Sequence, residues 1–86
     1  MTDDIAARLR AFISETYLYA RPDVKLTGST SLLAAGIIDS LGVMELVGFV
    51  EQTWGLVVSP EDITEANFGS VDAIASYISA RRAGAS

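Results

Sequence analysis

Gly36-Ile37-Ile38-Asp39-Ser40-Leu41 is the stretch on which the fold turns: an apolar segment, opened by a glycine, that hands an Asp-Ser pair to the most apolar helix encoded in the chain. That helix reads from about Ser40 to Trp54, with Gly55 just past its end, where a left-handed backbone commonly closes a helix. Either Asp39 or Ser40 caps its start, because both residue types accept a hydrogen bond from the orphan N–H groups of a first turn. Laid out at about 100° per residue, Val43, Leu46, Val47, Val50 and Trp54 fall in one arc, which is the core face. Leu41, Met44, Glu45, Gly48 and Gln52 lie roughly opposite, with Glu51 nearby. An outward Leu and Met beside acids, with a glycine among them, reads as a partner-docking strip. The competing reading packs Leu41 and Met44 under the preceding loop. Gly42 and Gly48 each cost the helix up to about 1 kcal/mol relative to alanine, a cost that the close approach of a partner would explain.

Upstream, residues 3–19 read as a first helix, with Ile5, Leu9, Phe12, Ile13 and Thr16 on one face. Thr2 is its expected N-cap, and Asp3 and Asp4 suit the positive end of the helix dipole. Pro22 stops it, since the residue before a proline is pushed out of the helical region. Tyr17 and Tyr19 read as packing and rim residues. The connection from Arg21 to Asp39 exceeds the ~12–15 residues beyond which structureless loops are uncommon and often functional. Thr30-Ser31-Leu32-Leu33 is expected to turn and bury Leu32 or Leu33. Leu26, Leu33, Ile37 and Ile38 pin the loop to the core, and Gly36 supplies backbone freedom.

Downstream, Leu56-Val57-Val58 reads as a buried connection. Ser59-Pro60-Glu61-Asp62 has the signature of a helix start: a capping serine, proline at the first position, acids in the first turn. The helix it opens is short, ending near Asn67, with Phe68 as a core plug before Gly69. Ser70 caps the last helix, whose core face is Val71, Ile74, Ala75 and Ile78, and Arg81 and Arg82 suit its negative end. Gly84-Ala85-Ser86 should fray. The expectation is an all-α fold of three main helices and one short one, in a single domain spanning residues 1–86 with its core in about 3–82.

Composition narrows what such a domain does. With 86 residues there is room for one core, and at 50% hydrophobic content the chain can fold alone. It has no Cys and no His, which removes Ser-His and Cys-His catalytic pairs, the usual zinc sites and the commonest general base. A serine nucleophile would depend on Lys25 or a carboxylate, so the expectation is a protein that is not an enzyme and holds no metal. The net charge of −5 argues against nucleic acid. Residues 26–80 contain seven acids and no base. This is either an ordinary solvated surface or a docking surface for basic partners. No apolar run approaches the ~18 residues of a membrane span. The N-terminus lacks the layout of a signal peptide, which points to a soluble cytoplasmic protein.

Ser40 has two physical readings. It is a helix cap, or it is a modification site. An exposed serine at a helix N-terminus can carry a phosphoryl group, which the dipole favours there, and Asp39 could help hold a metal ion while an outside enzyme transfers the group. The neighbours Ile-Asp-Ser-Leu-Gly do not form a Gly-x-Ser-x-Gly elbow, and there is no phosphate loop, dinucleotide fingerprint or calcium loop.

Thr30-Ser31-Leu32-Leu33-Ala34-Ala35-Gly36-Ile37-Ile38-Asp39-Ser40-Leu41, followed by Met44-Glu45-Leu46-Val47, resembles the acyl carrier protein superfamily, which includes peptidyl and aminoacyl carriers. The likeness continues through Trp54-Gly55 and Ser59-Pro60-Glu61-Asp62 to Asn67-Phe68-Gly69-Ser70-Val71, so it covers nearly the whole chain. It implies a four-helix carrier bundle with a long first loop. It implies that a phosphopantetheinyl transferase esterifies Ser40 from coenzyme A, with Asp39 as the aspartate before the modified serine. The 4′-phosphopantetheine arm would end in a thiol that carries cargo as a thioester. Leu41, Met44, Glu45 and Gly48 would meet partner enzymes: an acyl- or aminoacyl-loading ligase and downstream transferases with basic docking patches. Many fatty-acid carriers read Gly-Ala-Asp-Ser-Leu-Asp, whereas this chain reads Gly-Ile-Ile-Asp-Ser-Leu-Gly. It is therefore more similar to stand-alone carriers of D-alanyl, aminoacyl or natural-product pathways, and a monomer is expected. The rival from another class is a small helical module that binds a partner helix noncovalently through Leu41 and Met44.

Overall fold

The computed structural model describes residues 2–21 and 23–84. They form α1 (Thr2–Tyr17), α2 (Ser40–Trp54), α3 (Glu65–Phe68) and α4 (Val71–Gly84), with a 3-10 turn at Pro60–Asp62 before α3. Among the described residues there is no strand, and the long connection lies between α1 and α2 as expected. The capping side chain of Thr2, the stop at Pro22 and the fraying of Ala85-Ser86 fall outside what is described; Gly84 is still helical.

The core follows the apolar periodicity of α1 and α4. Ile5, Leu9 and Ile13 are buried from α1, and Val71, Ile74, Ala75 and Ile78 from α4, which packs against both α1 and α3. From α2, Leu46, Val47 and Val50 are buried and Val43 and Trp54 are half-buried, so the expected core face stands. Phe49 joins them: its ring stacks on Phe12 of α1 at 4.0 Å between centroids and meets Trp54 edge-on at 5.8 Å. Such aromatic pairs add about 0.5–1.5 kcal/mol beyond the area they bury. They form the seam between α1 and α2.

Four local expectations need correction. First, α1 ends at Tyr17 and not at residue 19, because Leu18 turns into the core and the Arg21 amide folds back on the Leu18 carbonyl at 2.9 Å. Thr16 is exposed, although it falls on the apolar side of the periodic plot. Second, within the long connection Leu32 is fully buried while Leu33 is 45% exposed, so Leu33 does not pin the loop. Third, the segment after Pro60 is two pieces. Ile63 leaves helical geometry at φ −83° and ψ 80°, and Thr64 restarts the chain as α3 by accepting the Asn67 amide at 3.2 Å. Ser59 makes no side-chain cap, whereas Ser70 accepts the Ala73 amide at 3.2 Å as expected. Fourth, in Leu56-Val57-Val58 only Val58 is buried, and Val57 is exposed.

The connection that leads to α2 is ordered by backbone bonds to the far side of the bundle. The Leu32 amide donates to the Gly69 carbonyl at 2.9 Å, and the Asp72 amide donates to Gly28 at 2.9 Å. The start of α4 therefore holds the middle of the loop, and the loop holds the start of α2.

Candidate functional site

Gly36 adopts φ 72°, a conformation that residues with a side chain rarely take, and the chain reverses there. The Ile37 and Ile38 amides then both donate to the Leu32 carbonyl, at 3.0 and 3.3 Å, while their side chains are buried. This staple delivers Asp39 in an extended conformation, φ −110° and ψ −170°. Its Oδ1 accepts the Gly42 amide at 2.8 Å. Asp39 is therefore the cap of α2, and Ser40 is the first helical residue, exposed and relieved of that task. At the other end Gly55, at φ 68°, closes the helix through the Glu51 carbonyl. Glu51 also catches the Val58 amide on its side chain at 2.8 Å.

Two depressions meet at Ser40. A largely apolar cleft of about 340 Å³ runs from Ser40 between Val43 and Met44 on one side and Ile63, Thr64, Glu65 and Phe68 on the other, with Leu33 at its edge. A more polar, open recess of about 720 Å³ lies on the other flank, where Ser40, Asp39, Leu41, Gly42 and Glu45 face Tyr17. The Tyr17 hydroxyl donates to Glu45 Oε1 at 2.6 Å and lies 3.3 Å from the Gly42 carbonyl. Burial, then the Glu45 hydrogen bond and charge, then the charge of Asp39 push the Tyr17 phenol well above its ordinary range, so it keeps its proton.

The outward strip of α2 divides between these depressions. Leu41 is 70% and Met44 54% exposed, so neither packs under the loop. Met44 borders the cleft; Leu41 and Glu45 border the recess. Gly48 borders neither. It opens on a shallow groove of about 430 Å³ against Phe12 and Thr16 of α1, and a Cβ added there would meet nothing within 4 Å. Gly42 is different: it is buried, and an added Cβ would stand 2.9 Å from the Ile38 Cβ. Its lack of a side chain is thus required by the protein's own packing. Tyr17 is the site residue that sequence reasoning assigned to packing. Its partner lies 28 positions away, and nothing local to either residue marks the pair.

A short helical bundle that presents an exposed hydroxyl at the first residue of a long helix, with an apolar cleft beside it, has the architecture of a carrier domain. The family model described as "Phosphopantetheine attachment site" matches residues 7–78, and the chain belongs to that family. A search of curated proteins returns no match. Domains of this family are sites of covalent 4′-phosphopantetheine attachment, are not themselves catalytic, and work with a phosphopantetheinyl transferase and partner enzymes. The residues present fit such a group: an exposed hydroxyl at the positive end of a 15-residue helix, opening onto an apolar cleft. Among the described residues no helix is long and apolar enough to cross a membrane.

Proposed function

We propose that this chain is a stand-alone acyl or aminoacyl carrier protein, a single domain with its core in about residues 3–82, modified at the Oγ of Ser40. The observation that carries the choice of serine is the division of labour at the start of α2: Asp39 caps, so the Ser40 hydroxyl is left for chemistry. Other serines in the matched region are less suited. Ser14 and Ser76 lie inside helices; Ser29 sits in the loop at no helix start, its Oγ 3.5 Å from the Thr27 hydroxyl; Ser31 and Ser70 accept the Ala34 and Ala73 amides; Ser59 precedes a turn of three residues.

In the reaction Ser40 Oγ would lose its proton to the transferase and bond to the pantetheine-side phosphorus, as the pyrophosphate link of coenzyme A breaks and adenosine 3′,5′-bisphosphate leaves. The arm supplies a thiol, and cargo rides on it as a thioester. The chain's own contribution is positional. The helix dipole favours the phosphate at Ser40, the staple on Leu32 fixes the loop, and the cleft between Met44 and Phe68 offers apolar walls beside the arm. The chain itself catalyses nothing. Tethering raises the cargo's effective concentration at each partner, and weak contacts through Leu41, Met44 and Glu45 allow release. Gly48, set apart on the α1 side, would meet only a partner that reaches over both helices. A monomer acting in the cytoplasm, loaded by a ligase and read by transferases with basic patches, completes the reading.

Exposed Leu41 and Met44 also fit a module that binds an amphipathic helix noncovalently. Intact mass after incubation with coenzyme A and a promiscuous phosphopantetheinyl transferase separates the two. The expected result is one phosphopantetheine adduct on the wild type and none on Ser40→Ala, with melting temperatures that match. An adduct that persists in S40A moves the site. No adduct with several transferases leaves the interaction module ahead.

A further inference from the structure

Glu45 stands on the recess beside Ser40, and a free glutamate there would sample several rotamers. It is not free. Tyr17, the last residue of α1, reaches across and donates its one hydroxyl proton to Glu45 Oε1 at 2.6 Å, much closer than the 3.3 Å to the Gly42 carbonyl. The ring behind that hydroxyl is itself held, edge-on to Phe12 at 6.2 Å between centroids. One oxygen of the carboxylate is thus occupied by a fixed donor, and Oε2 keeps its acceptor capacity for an incoming cation. Asp39, also on this recess, adds negative charge to the same side of Ser40.

We propose that Tyr17 is a positioning residue for modification of Ser40: it holds the Glu45 carboxylate in place on the recess so that a guanidinium or ammonium group of the phosphopantetheinyl transferase finds it already oriented. The inference rests on the assignment of Ser40 as the attachment site. Its physical basis is preorganisation. A side chain immobilised before docking does not lose its rotamer freedom on docking, a difference equivalent to about two- to tenfold in affinity. The phenol suits the role because it stays protonated and donates across the neutral range.

The test is the steady-state rate of adduct formation, followed by intact mass at varied carrier concentration, for the wild type, Tyr17→Phe, Glu45→Gln and the double variant. Tyr17→Phe keeps the ring and removes the hydroxyl. The expected result is a KM raised about two- to tenfold with kcat unchanged, in line with that entropy difference. E45Q, which keeps an acceptor for Tyr17 but loses the charge, should raise KM at least as much, and Y17F/E45Q should be no worse than E45Q alone, because orienting position 45 matters only while it carries the carboxylate that meets the cation. Tyr77→Phe is the matched control. It deletes a comparable phenol–carboxylate bond, Tyr77 to Asp62 at 2.8 Å, away from both depressions, and should leave KM unchanged. A purely structural role for tyrosine hydroxyls would move both variants alike and overturns the proposal. So does a normal KM in Y17F, or additive losses in the double variant. If Y17F were to misfold, E45Q with Tyr17 intact still decides, since an unchanged KM there removes the carboxylate from recognition. A wild-type chain that accepts no adduct removes the parent assignment and this inference together, whereas an adduct formed at equal KM in all four proteins removes this inference alone.

Discussion

Asp39 and Ser40 are neighbours with interchangeable capping chemistry, and the whole functional reading depends on which of them does the capping. Both accept hydrogen bonds from first-turn amides, and a shift of one residue in the helix start is below what side-chain preference resolves. The staple on Leu32 breaks the tie by presenting Asp39 extended and Ser40 helical. Asp39→Ala should therefore destabilise the protein by about 1 kcal/mol, while Asp39→Asn, an equally good cap, should lie within a few tenths of the wild type. Urea unfolding of both variants checks this. Equal losses in D39A and D39N would mean that the charge, and not the cap, is what the site needs. Tyr17 teaches the complementary lesson. A tyrosine closing an amphipathic helix gives no local sign that its hydroxyl will meet a glutamate 28 positions on, so only the fold reveals it.

At the level of elements, legibility tracked the strength of the apolar period. The core faces of α2 and α4, the Gly55 closure and the outward Leu41 and Met44 all follow from spacing, because nothing in the tertiary structure competes with it. Where burial competes, the local signal loses. Leu18 pulls the chain out of α1 well before the proline, and Ile63 breaks in two what Ser59-Pro60 announced as one helix. The glycines of α2 show the same contest. Sequence reasoning assigned the cost of both to an approaching partner, but Gly42 is explained from within, by Ile38. The nearest atom is the Ile38 Cβ, which every residue but glycine places there, so the constraint on position 42 comes from the close backbone path at the start of α2 and not from the bulk of the isoleucine. Gly48→Ala, in open space, should stabilise the protein by about 0.5–1 kcal/mol. Gly42→Ala should forfeit that gain or destabilise, a contrast with Gly48→Ala that urea unfolding of the two variants measures. Equal stabilisation by both alanines would refute the steric constraint at position 42.

For the molecule as a whole, charge is distributed differently in space and along the chain. Residues 26–80 carry no base, yet Arg21 returns to that region by donating to the Gly36 carbonyl at 2.8 Å. Arg81 likewise reaches back to Asp62, 3.9 Å away, and to the Tyr77 hydroxyl at 2.7 Å. The one-signed field is therefore narrower than the sequence suggests, with Asp39 and Glu45 as its acids on the recess beside Ser40 and Arg21 at the Gly36 edge. Steering by such a field should show as a kcat/KM for modification that falls as added salt shortens the Debye length from about 10 Å toward 3 Å, with kcat little changed. Rates flat across that range would leave the acids as ordinary surface. Much of this balance was visible in composition. The return of Arg21 was not, because it depends on a loop whose path is set by buried Leu32, Ile37 and Ile38.

The seam of Phe12, Phe49 and Trp54 has one further consequence. The chain has a single tryptophan, and it closes the same helix that Ser40 opens. At 1.5 Å rise per residue, the 15 residues of α2 separate the two by about 21 Å along the axis. The indole is fixed edge-on against Phe49, so its end of the ruler does not wander. With no cysteine in the chain, a thiol on an arm at Ser40 would be its sole sulfhydryl, and an acceptor dye placed there would be unique. Resonance energy transfer from Trp54 would then distinguish an arm folded back along the cleft from one swung out into solvent, without a single engineered substitution.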